Sequence, residues 1–322
     1  MQEQIQKYFK AFQKLRIDRA HGIAPHKPIL LLSVLQTFQN GINNNQKIYI
    51  TPELVALFNA NWNLLVKSNH DCRFALPFYH LTSDKFWKLI PKPGFENILR
   101  FKDSMRSFAS LNAAVDCALI EVDLLFLMKD KKSNWILQQL LLDEYFLETK
   151  NNFSNSTDGQ QKIFDTIEGK ILNEDAAEYR KEIQNLMQQQ NEEEIFLRGS
   201  LFKREIPKTY NNTCCISGMK IAATISVSMI DACHIVPFSA SYDDTITNGI
   251  ALCPNLHRAF DRGLISVDNN YNVIVSKAFK EDETNYSIRI FENQHIILPK
   301  HEMLYPLSEN FNWHRKNIFK VC

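Results

Sequence analysis

Four side chains between His234 and Asp261 have the types and the spacing that phosphodiester hydrolysis needs. His234 lies near the end of an apolar stretch predicted to be a strand, over Met229–Val236, and Asn248 ends the polar loop that follows. His257 falls in the first turns of the next predicted helix, with Asp261 one turn later on the same face. Hydrolysis of a phosphodiester needs a general base for water and a cation that offsets negative charge. We therefore predict three catalytic residues: His234 as the base, Asn248 as the residue that fixes the loop beside it, and His257 as the residue that binds the cation.

The predicted cation is a divalent metal ion, Mg²⁺ or Mn²⁺, with His257 and Asp261 as ligands. Asp231 on the strand is the third predicted ligand. No paired Cys-x-x-Cys motif is present, so a structural zinc is not predicted. Three cysteines are expected to be small buried thiols: Cys214, Cys215 and Cys253.

Taken singly, each of these residues also fits a structural role. A lone histidine in a strand is more often structural than catalytic, Asn-Gly is usually a turn, and His257 with Asp261 could be a pair on a helix surface. Their order within residues 231–261 is what favours a catalytic site.

Residues 205–320 resemble an HNH endonuclease domain. Three segments carry the resemblance: Cys215-Ile216-Ser217-Gly218, Ala232-Cys233-His234-Ile235, and Asn248 to Gly263 with its Phe-Asp-Arg-Gly end. The closing segment Trp313–Phe319 is also similar to the end of such proteins. The resemblance implies a ββα-metal nuclease. Many HNH domains place Asp or His directly before the base, whereas this chain has Cys233.

Two segments of the N-terminal part are distinctive: Ala24–Leu32 (APHKPILLL) and Leu76–Trp87, which contains PFYHL and SDKFW. In these segments the N-terminal part resembles the sulfur-binding domain of McrA-type, type IV restriction endonucleases. Such domains recognise DNA whose backbone carries phosphorothioate, so the resemblance implies double-stranded, phosphorothioate-modified DNA as the partner.

Replacing a phosphate oxygen with sulfur keeps the negative charge of the phosphate, but the sulfur is larger and less hydrated than the oxygen. A shallow apolar surface can accept it, while the same surface penalises an oxygen that prefers water. The candidate DNA-binding residues are an apolar group with a histidine at its rim, and a basic group for the flanking phosphates. The first group is Leu76, Pro77, Phe78 and His80, and the second is Arg19, His26, Lys27 and Arg73.

Two other functions stay open from the sequence. The chain could be an HNH restriction endonuclease that recognises a modified base or unmodified duplex. A flipped base could lie in an aromatic cage that includes Trp62, Tyr79 or Trp87. It could also be a non-catalytic DNA-binding protein, although the complete set of His234, Asn248 and His257 argues against this.

The elements that must position these residues predict an α+β protein. Apolar spacing predicts a helix around Ile5–Leu15 and another over Ile29–Phe38, with Pro28 in its first turn and a stop at Asn40-Gly41. Thr51 is the predicted N-cap of a third helix. Residues 72–90 are expected to form short strands and a loop. Further helices are predicted at Leu111–Leu127 and Ser133–Glu148, and strands at Leu264–Val267 and Tyr271–Ser276.

The predicted domains are a mostly helical α+β DNA-recognition domain at 1–150, a linker with a charged helix at 151–200, and the nuclease domain at 201–322. Residues 151–161 have the composition of a linker, and Asn173–Leu197 is predicted to be a solvated helix. Residues 1–110 hold 15 Lys and Arg against 7 Asp and Glu, whereas residues 111–200 hold 9 against 17. This asymmetry favours an anionic partner for the N-terminal part.

Composition excludes several classes of protein. With 45% hydrophobic and 23% charged residues, the 322-residue chain is neither disordered nor fibrous. The apolar runs are too short to span a bilayer, and seven irregularly spaced cysteines suit a reducing compartment. We expect no membrane partner and a cytoplasmic location in a bacterium or archaeon. A homodimer stays open, because one HNH site cuts one strand.

Overall fold

The computed structural model describes residues 2–19, 22–97, 107–153, 158–221, 228–282, 284 and 287–320. The chain divides into two compact units, residues 1–165 and 166–322. This division differs from the predicted one, in which 151–200 is a linker. Both units combine helices with small sheets, so the predicted α+β class is confirmed. No helix of the described residues is long and apolar enough to cross a membrane.

The first unit is a set of helices packed with one small antiparallel sheet. Its elements are α1 (Gln2–Gln13), α2 (His26–Gln39), β1 (Lys47–Ile48), α3 (Pro52–Leu65), α4 (Ala75–His80), β2 (Trp87–Pro91), α5 (Phe108–Ala114), β3 (Val115–Ile120), α6 (Val122–Lys129) and α7 (Lys131–Tyr145). The strand order is β1-β3-β2, with Lys47 opposite Leu119 and Leu89 opposite Ala118.

Helix α2 runs through the core of this unit and is buried on all sides. Pro28 lies in its first turn, and the helix ends before Asn40, as predicted. The Thr51 side chain accepts a hydrogen bond from the Leu54 N–H, which confirms the predicted N-cap of α3. Asn61 of α3 donates to Ser33 and Gln36 of α2, so the polar groups between these two helices are paired.

Two predictions for this unit are wrong. Residues 72–90 contain helix α4 as well as strand β2. Pro77 is the third residue of α4, where a missing N–H costs no intrahelical bond. The helix predicted over Leu111–Leu127 is interrupted by strand β3, which pairs on both sides and is largely buried. Tertiary pairing has overridden the local helical pattern there.

The second unit contains the remaining elements, apart from the first turns of α8, which belong to the first unit. They are α8 (Asp158–Asn173), α9 (Ala176–Gln188), α10 (Glu192–Thr209), β4 (Asp231–His234), α11 (Phe238–Ser241), β5 (Gly249–Leu252), α12 (Pro254–Asp261), β6 (Ile265–Val267), β7 (Val273–Val275) and α13 (Ser308–Asn317).

The segment predicted as one solvated helix over Asn173–Leu197 is instead divided among α8, α9 and the first part of α10. Asp175 caps α9 and Asn191 caps α10, each through its side-chain oxygen. Both helices also bury side chains, including Tyr179 and Phe202 at 0% exposure. The glutamates that suggested a solvated helix occupy only part of each helix surface.

Two antiparallel hairpins form the core around the catalytic candidates. Strand β4 pairs with β5, with His234 opposite Gly249, and β6 pairs with β7. Helix α10 packs closely on β5: a side chain at Gly249 would come within 2.1 Å of Ile206. The short strands predicted after residue 263 are confirmed by β6 and β7.

Candidate active site

The hairpin β4–β5 and helix α12 bring His234 and His257 to one cleft, while Asn248 is buried in the loop that leads into β5. His234 is the last residue of β4, Asn248 directly precedes β5, and His257 lies in the first half of α12. Pro254 begins α12 immediately after β5, so the chain turns directly from the hairpin into the helix. The cleft has a volume of about 290 Å³ and its lining includes His234, His257 and Asp261.

His234 is held on two sides. Its Nε2 lies 2.8 Å from Oδ1 of Asp244, whose side chain is 2% exposed. An ionised carboxylate only accepts hydrogen bonds, so Nε2 carries the proton and Nδ1 is left as an acceptor. The imidazole stacks on Phe202 of α10, with ring centroids 3.9 Å apart and planes 10° from parallel. These contacts fix both the tautomer and the plane of the ring.

Asn248 joins the two sides of the loop between β4 and β5. Its Oδ1 accepts from the Val236 N–H at 2.9 Å, and its Nδ2 donates to the carbonyls of Val236 and Asp243, each at 2.9 Å. The side chain is fully buried. Its Nδ2 also lies 3.5 Å from the Ser241 Oγ, so Asn248 can act on the site by holding the segment between His234 and Asp244.

His257 lies between two carboxylates. Its Nδ1 is 3.3 Å from Oδ2 of Asp231, and its Nε2 is 3.5 Å from Oδ2 of Asp261. A neutral imidazole has one N–H, so one of these contacts brings a nitrogen lone pair towards a carboxylate oxygen. A cation bound between the two groups would relieve that contact.

The residues present fit a divalent cation. Cys233, His257 and Asp261 each offer a ligand atom, and these atoms lie within 4.8 Å of one another. Burial raises the pKa of Cys233 well above its ordinary value, and a sulfur ligand suits a hard cation such as Mg²⁺ less well than oxygen or nitrogen does. His257 and Asp261, with Asp231 beside them, supply the nitrogen and oxygen donors that Mg²⁺ or Mn²⁺ accepts.

His314 closes the inner wall of the cleft. Its Nδ1 lies 2.8 Å from Ser266 Oγ, its Nε2 lies 3.1 Å from the Phe260 carbonyl, and its ring stacks on Phe260. The carbonyl can only accept, so Nε2 donates and Nδ1 accepts from the hydroxyl. Burial lowers the pKa of His314 to about 4, which makes it a neutral structural residue at physiological pH.

Sequence analysis missed Asp244 and Phe202. Asp244 lies in the polar loop before Asn248, where the Asp-Asp pair was a usable signal for a partner of His234. Phe202 lies in α10, and nothing local in the sequence marks it as a partner of His234. The three cysteines expected to be buried thiols, Cys214, Cys215 and Cys253, are all buried.

In the first unit, the structure exposes three of the predicted DNA-binding residues, Arg19, Arg73 and His80. Arg73 is 3.4 Å from Asp71, an exposed ion pair that contributes little. Leu76 is partly exposed, on α4.

His26 is also partly exposed. Its ring packs on Trp62 at 4.7 Å, and its Nε2 lies 2.9 Å from the Asp71 carbonyl. Burial lowers the pKa of His26. A neutral His26 offers a phosphate less attraction than the cation that the sequence analysis assumed.

Three other predicted residues are buried. Lys27 is 5% exposed and forms an ion pair of 2.6 Å with Asp84, so its charge is already satisfied inside the protein. Phe78 is completely buried and Pro77 is buried beside it on α4. In this structure none of the three presents its predicted group at the surface.

The aromatic residues considered for a base cage are covered as well. Trp62, Tyr79 and Trp87 are 7%, 8% and 2% exposed. The Trp87 indole N–H donates to the Phe78 carbonyl at 3.0 Å, which ties it into the core. None of these three rings has a face open to a flipped base.

Part of the second unit matches a known protein family. Residues 214–268 match the HNH endonuclease family, which confirms the expected HNH domain there. Among solved structures, the chain is similar to a modification-dependent TagI restriction endonuclease, with 18% sequence identity and a TM-score of 0.28. That match covers 38% of this chain and 39% of the other, so the chain spans well under half of that protein. No curated protein matches the chain.

Proposed function

We propose that the protein is a metal-dependent DNA endonuclease whose general base is His234. The observation that carries the proposal is the cleft geometry. His234 has its Nε2 paired with a buried carboxylate, which leaves Nδ1 able to take a proton, and His257 with Asp261 lines the same cleft. The HNH family match over 214–268 supports the same chemistry.

Each residue of the site has its own role in the hydrolysis. His234 accepts a proton from water at Nδ1, and the water oxygen attacks the phosphorus. The scissile P–O bond breaks, and the leaving oxygen takes a proton from solvent. His257 and Asp261 would hold a divalent cation, which supplies the positive charge that offsets the phosphate and the leaving oxygen. Asn248 keeps the loop between β4 and β5 in place throughout.

We further propose that the first unit selects phosphorothioate-modified duplex. Support comes from the APHKP and PFYHL segments and from the excess of positive charge in residues 1–110. Leu76 offers the partly exposed apolar contact for sulfur, and Arg19, Arg73 and His80 are exposed candidates for the flanking phosphates. The buried state of Trp62, Tyr79 and Trp87 disfavours the modified-base alternative.

A plasmid assay tests both proposals. Supercoiled plasmid, with and without phosphorothioate linkages, is incubated with the full chain in Mg²⁺, Mn²⁺ or EDTA. We expect metal-dependent nicking of the modified plasmid only. Equal cleavage of both plasmids would overturn the phosphorothioate proposal alone. Cleavage in EDTA would overturn the metal-dependent site, and absence of any cleavage would overturn the endonuclease proposal.

A further inference from the structure

The carboxylate of Asp244 is buried and has no evident structural use. Asp244 Oδ1 contacts Nε2 of His234, but Oδ2 has no hydrogen-bond partner within the described ranges. A buried carboxylate oxygen without a partner is unfavourable, and native proteins usually avoid one.

The neighbouring Asp243 shows what a structural carboxylate looks like in the same loop. Its Oδ1 accepts from the backbone N–H of Thr245 at 2.9 Å and from the Thr245 hydroxyl at 2.6 Å. Asp243 therefore stabilises the turn before Asn248. Asp244, one residue later, makes its hydrogen bond with the side chain of the candidate base.

Tyr179 of α9 lies near enough to Asp244 to be affected by its charge, and a second buried polar residue packs on Tyr179. Arg198 of α10 and Tyr179 of α9 are both 0% exposed, and the guanidinium lies 5.0 Å above the Tyr179 ring. Burial, reinforced by the negative charge of Asp244, raises the pKa of Tyr179, so this phenol stays neutral. Arg198 is also paired with Glu182 and Glu194. Asp243 and Arg180 are further charged groups near the loop.

From this arrangement we infer that Asp244 is the positioning residue of the general base. Its carboxylate holds the proton of His234 on Nε2, so that Nδ1 can accept a proton from water, and it stabilises the imidazolium formed when that happens. Phe202 holds the plane of the same ring by stacking. The inference rests on the proposed function, because it requires His234 to be the base. It makes α10, through Phe202, part of the catalytic machinery.

The matched variants Asp244→Asn and Asp243→Asn test the inference. An asparagine at 244 can turn its amide N–H towards Nε2 and so favour the tautomer with the proton on Nδ1, which cannot act as a base. The effect of that exchange on other histidine bases predicts a fall in kcat of about 10³–10⁴-fold. We expect KM for DNA to change less than threefold. Asp243→Asn weakens the turn but leaves the Nε2 contact in place.

The tautomer of His234 is measured directly by ¹H–¹⁵N correlation NMR of histidine-labelled full chain without metal, with the signals assigned through His234→Gln. We expect a proton on Nε2 in wild type and in Asp243→Asn, and on Nδ1 in Asp244→Asn. A proton on Nδ1 in the wild-type protein would overturn the inference whether or not any variant folds.

Activity distinguishes this inference from the proposed function. If wild type cleaves DNA and Asp244→Asn cleaves within tenfold of it, the positioning role is wrong while the endonuclease stands. If wild type cleaves no DNA although its Nε2 is protonated, the endonuclease proposal fails and the His234–Asp244 contact remains as a structural pair.

Discussion

At the residue scale, the histidines of the cleft differ in what holds them, and the difference separates their roles. His234 has one carboxylate partner and a stacking ring, His257 has a carboxylate beside each nitrogen, and His314 is enclosed by a hydroxyl and a carbonyl. A base needs a free nitrogen, a metal ligand tolerates nearby anions, and a buried neutral ring needs one donor and one acceptor. Each side chain is thus suited to a different task.

His257→Ala is expected to lose cleavage through weaker metal binding rather than through loss of the base. Loss of one ligand should weaken binding of the cation by about 10–100-fold. Raising the Mn²⁺ concentration should therefore restore part of the cleavage rate. The measurement is nicking rate against Mn²⁺ concentration. His234→Ala is the control and should not recover at any concentration. A His257→Ala rate within threefold of wild type at limiting Mn²⁺ would remove His257 from the cation site.

His314 should make stability fall as the pH is lowered. Its pKa is about 4 in the folded protein and 6.5 when unfolded, so between these values only the unfolded chain is protonated. The stabilisation is complete above pH 6.5 and is lost as the pH falls towards 4. From pH 7 to pH 5 the loss amounts to about 2 kcal/mol.

Urea unfolding of wild type and His314→Gln at the two pH values checks this. The variant is less stable at both, but its loss between pH 7 and pH 5 should be smaller by that amount. Identical losses in the two proteins would show that His314 titrates normally in the folded state.

Some of the site residues could be predicted from the sequence and others could not. His234, Asn248 and His257 could be predicted, because their order and local elements are encoded within one short segment. Asp244 lies in that segment too, and the Asp-Asp pair is a usable signal, but the sequence does not specify that the loop folds the Asp244 side chain back onto His234. Lys27 shows the opposite error: a lysine in a basic region suggests phosphate binding, yet the structure buries it against Asp84.

At the element scale, the turn after α12 ties the catalytic helix to the end of the chain. Gly263 has φ +70°, its carbonyl accepts from the Lys320 N–H at 2.9 Å, and a Cβ there would lie 2.0 Å from the Ile318 carbonyl oxygen. The glycine of Phe-Asp-Arg-Gly is therefore required both by backbone conformation and by close approach.

Gly263→Ala should destabilise the protein by about 3 kcal/mol or more, as expected for a backbone clash added to left-handed strain. Gly218→Ala is the matched control, because Gly218 has φ +68° and open space around it. The control should lose only about 1 kcal/mol. Equal losses by urea unfolding would mean that strain alone explains the effect and that the close approach to Ile318 is absent in solution.

Elements with a strong local signal were predictable, and those decided by distant partners were not. Helix α2 has an apolar run, an N-terminal proline and an Asn-Gly stop, and it forms as expected. Strand β3 was assigned to a helix, because its residues are compatible with either structure until β1 and β2 pair with it. The many glutamates of α9 and α10 favour a solvated helix in the sequence. Each helix nevertheless has a buried face that packs within the second unit.

At the scale of the whole molecule, we propose that the first unit recognises DNA and that the second unit hydrolyses it. The full chain should bind phosphorothioate duplex about 10³-fold more tightly than the unmodified twin, a ratio typical of specific over non-specific binding. Leu76→Ala should reduce this ratio by removing apolar contact. Leu76 is the residue to test because it is partly exposed, whereas the neighbouring candidate Pro77 is buried.

Arg73→Ala provides the contrast. It should weaken binding to both duplexes alike and lower the slope of log K against log salt by about 0.9 for one lost phosphate contact. Fluorescence anisotropy with labelled duplexes at several salt concentrations measures both effects. An unchanged ratio in Leu76→Ala would place the sulfur contact elsewhere on the unit.

The most direct test of the central claim is the single-turnover nicking rate of His234→Ala on phosphorothioate-containing plasmid in Mn²⁺. His301→Ala, which changes an exposed histidine of the same unit outside the cleft lining, is the matched control. With His234 as the general base, His234→Ala should lose at least about 10²-fold in rate while binding the DNA as wild type does, and His301→Ala should cleave normally. A His234→Ala rate within tenfold of wild type, with DNA binding intact, would contradict the account.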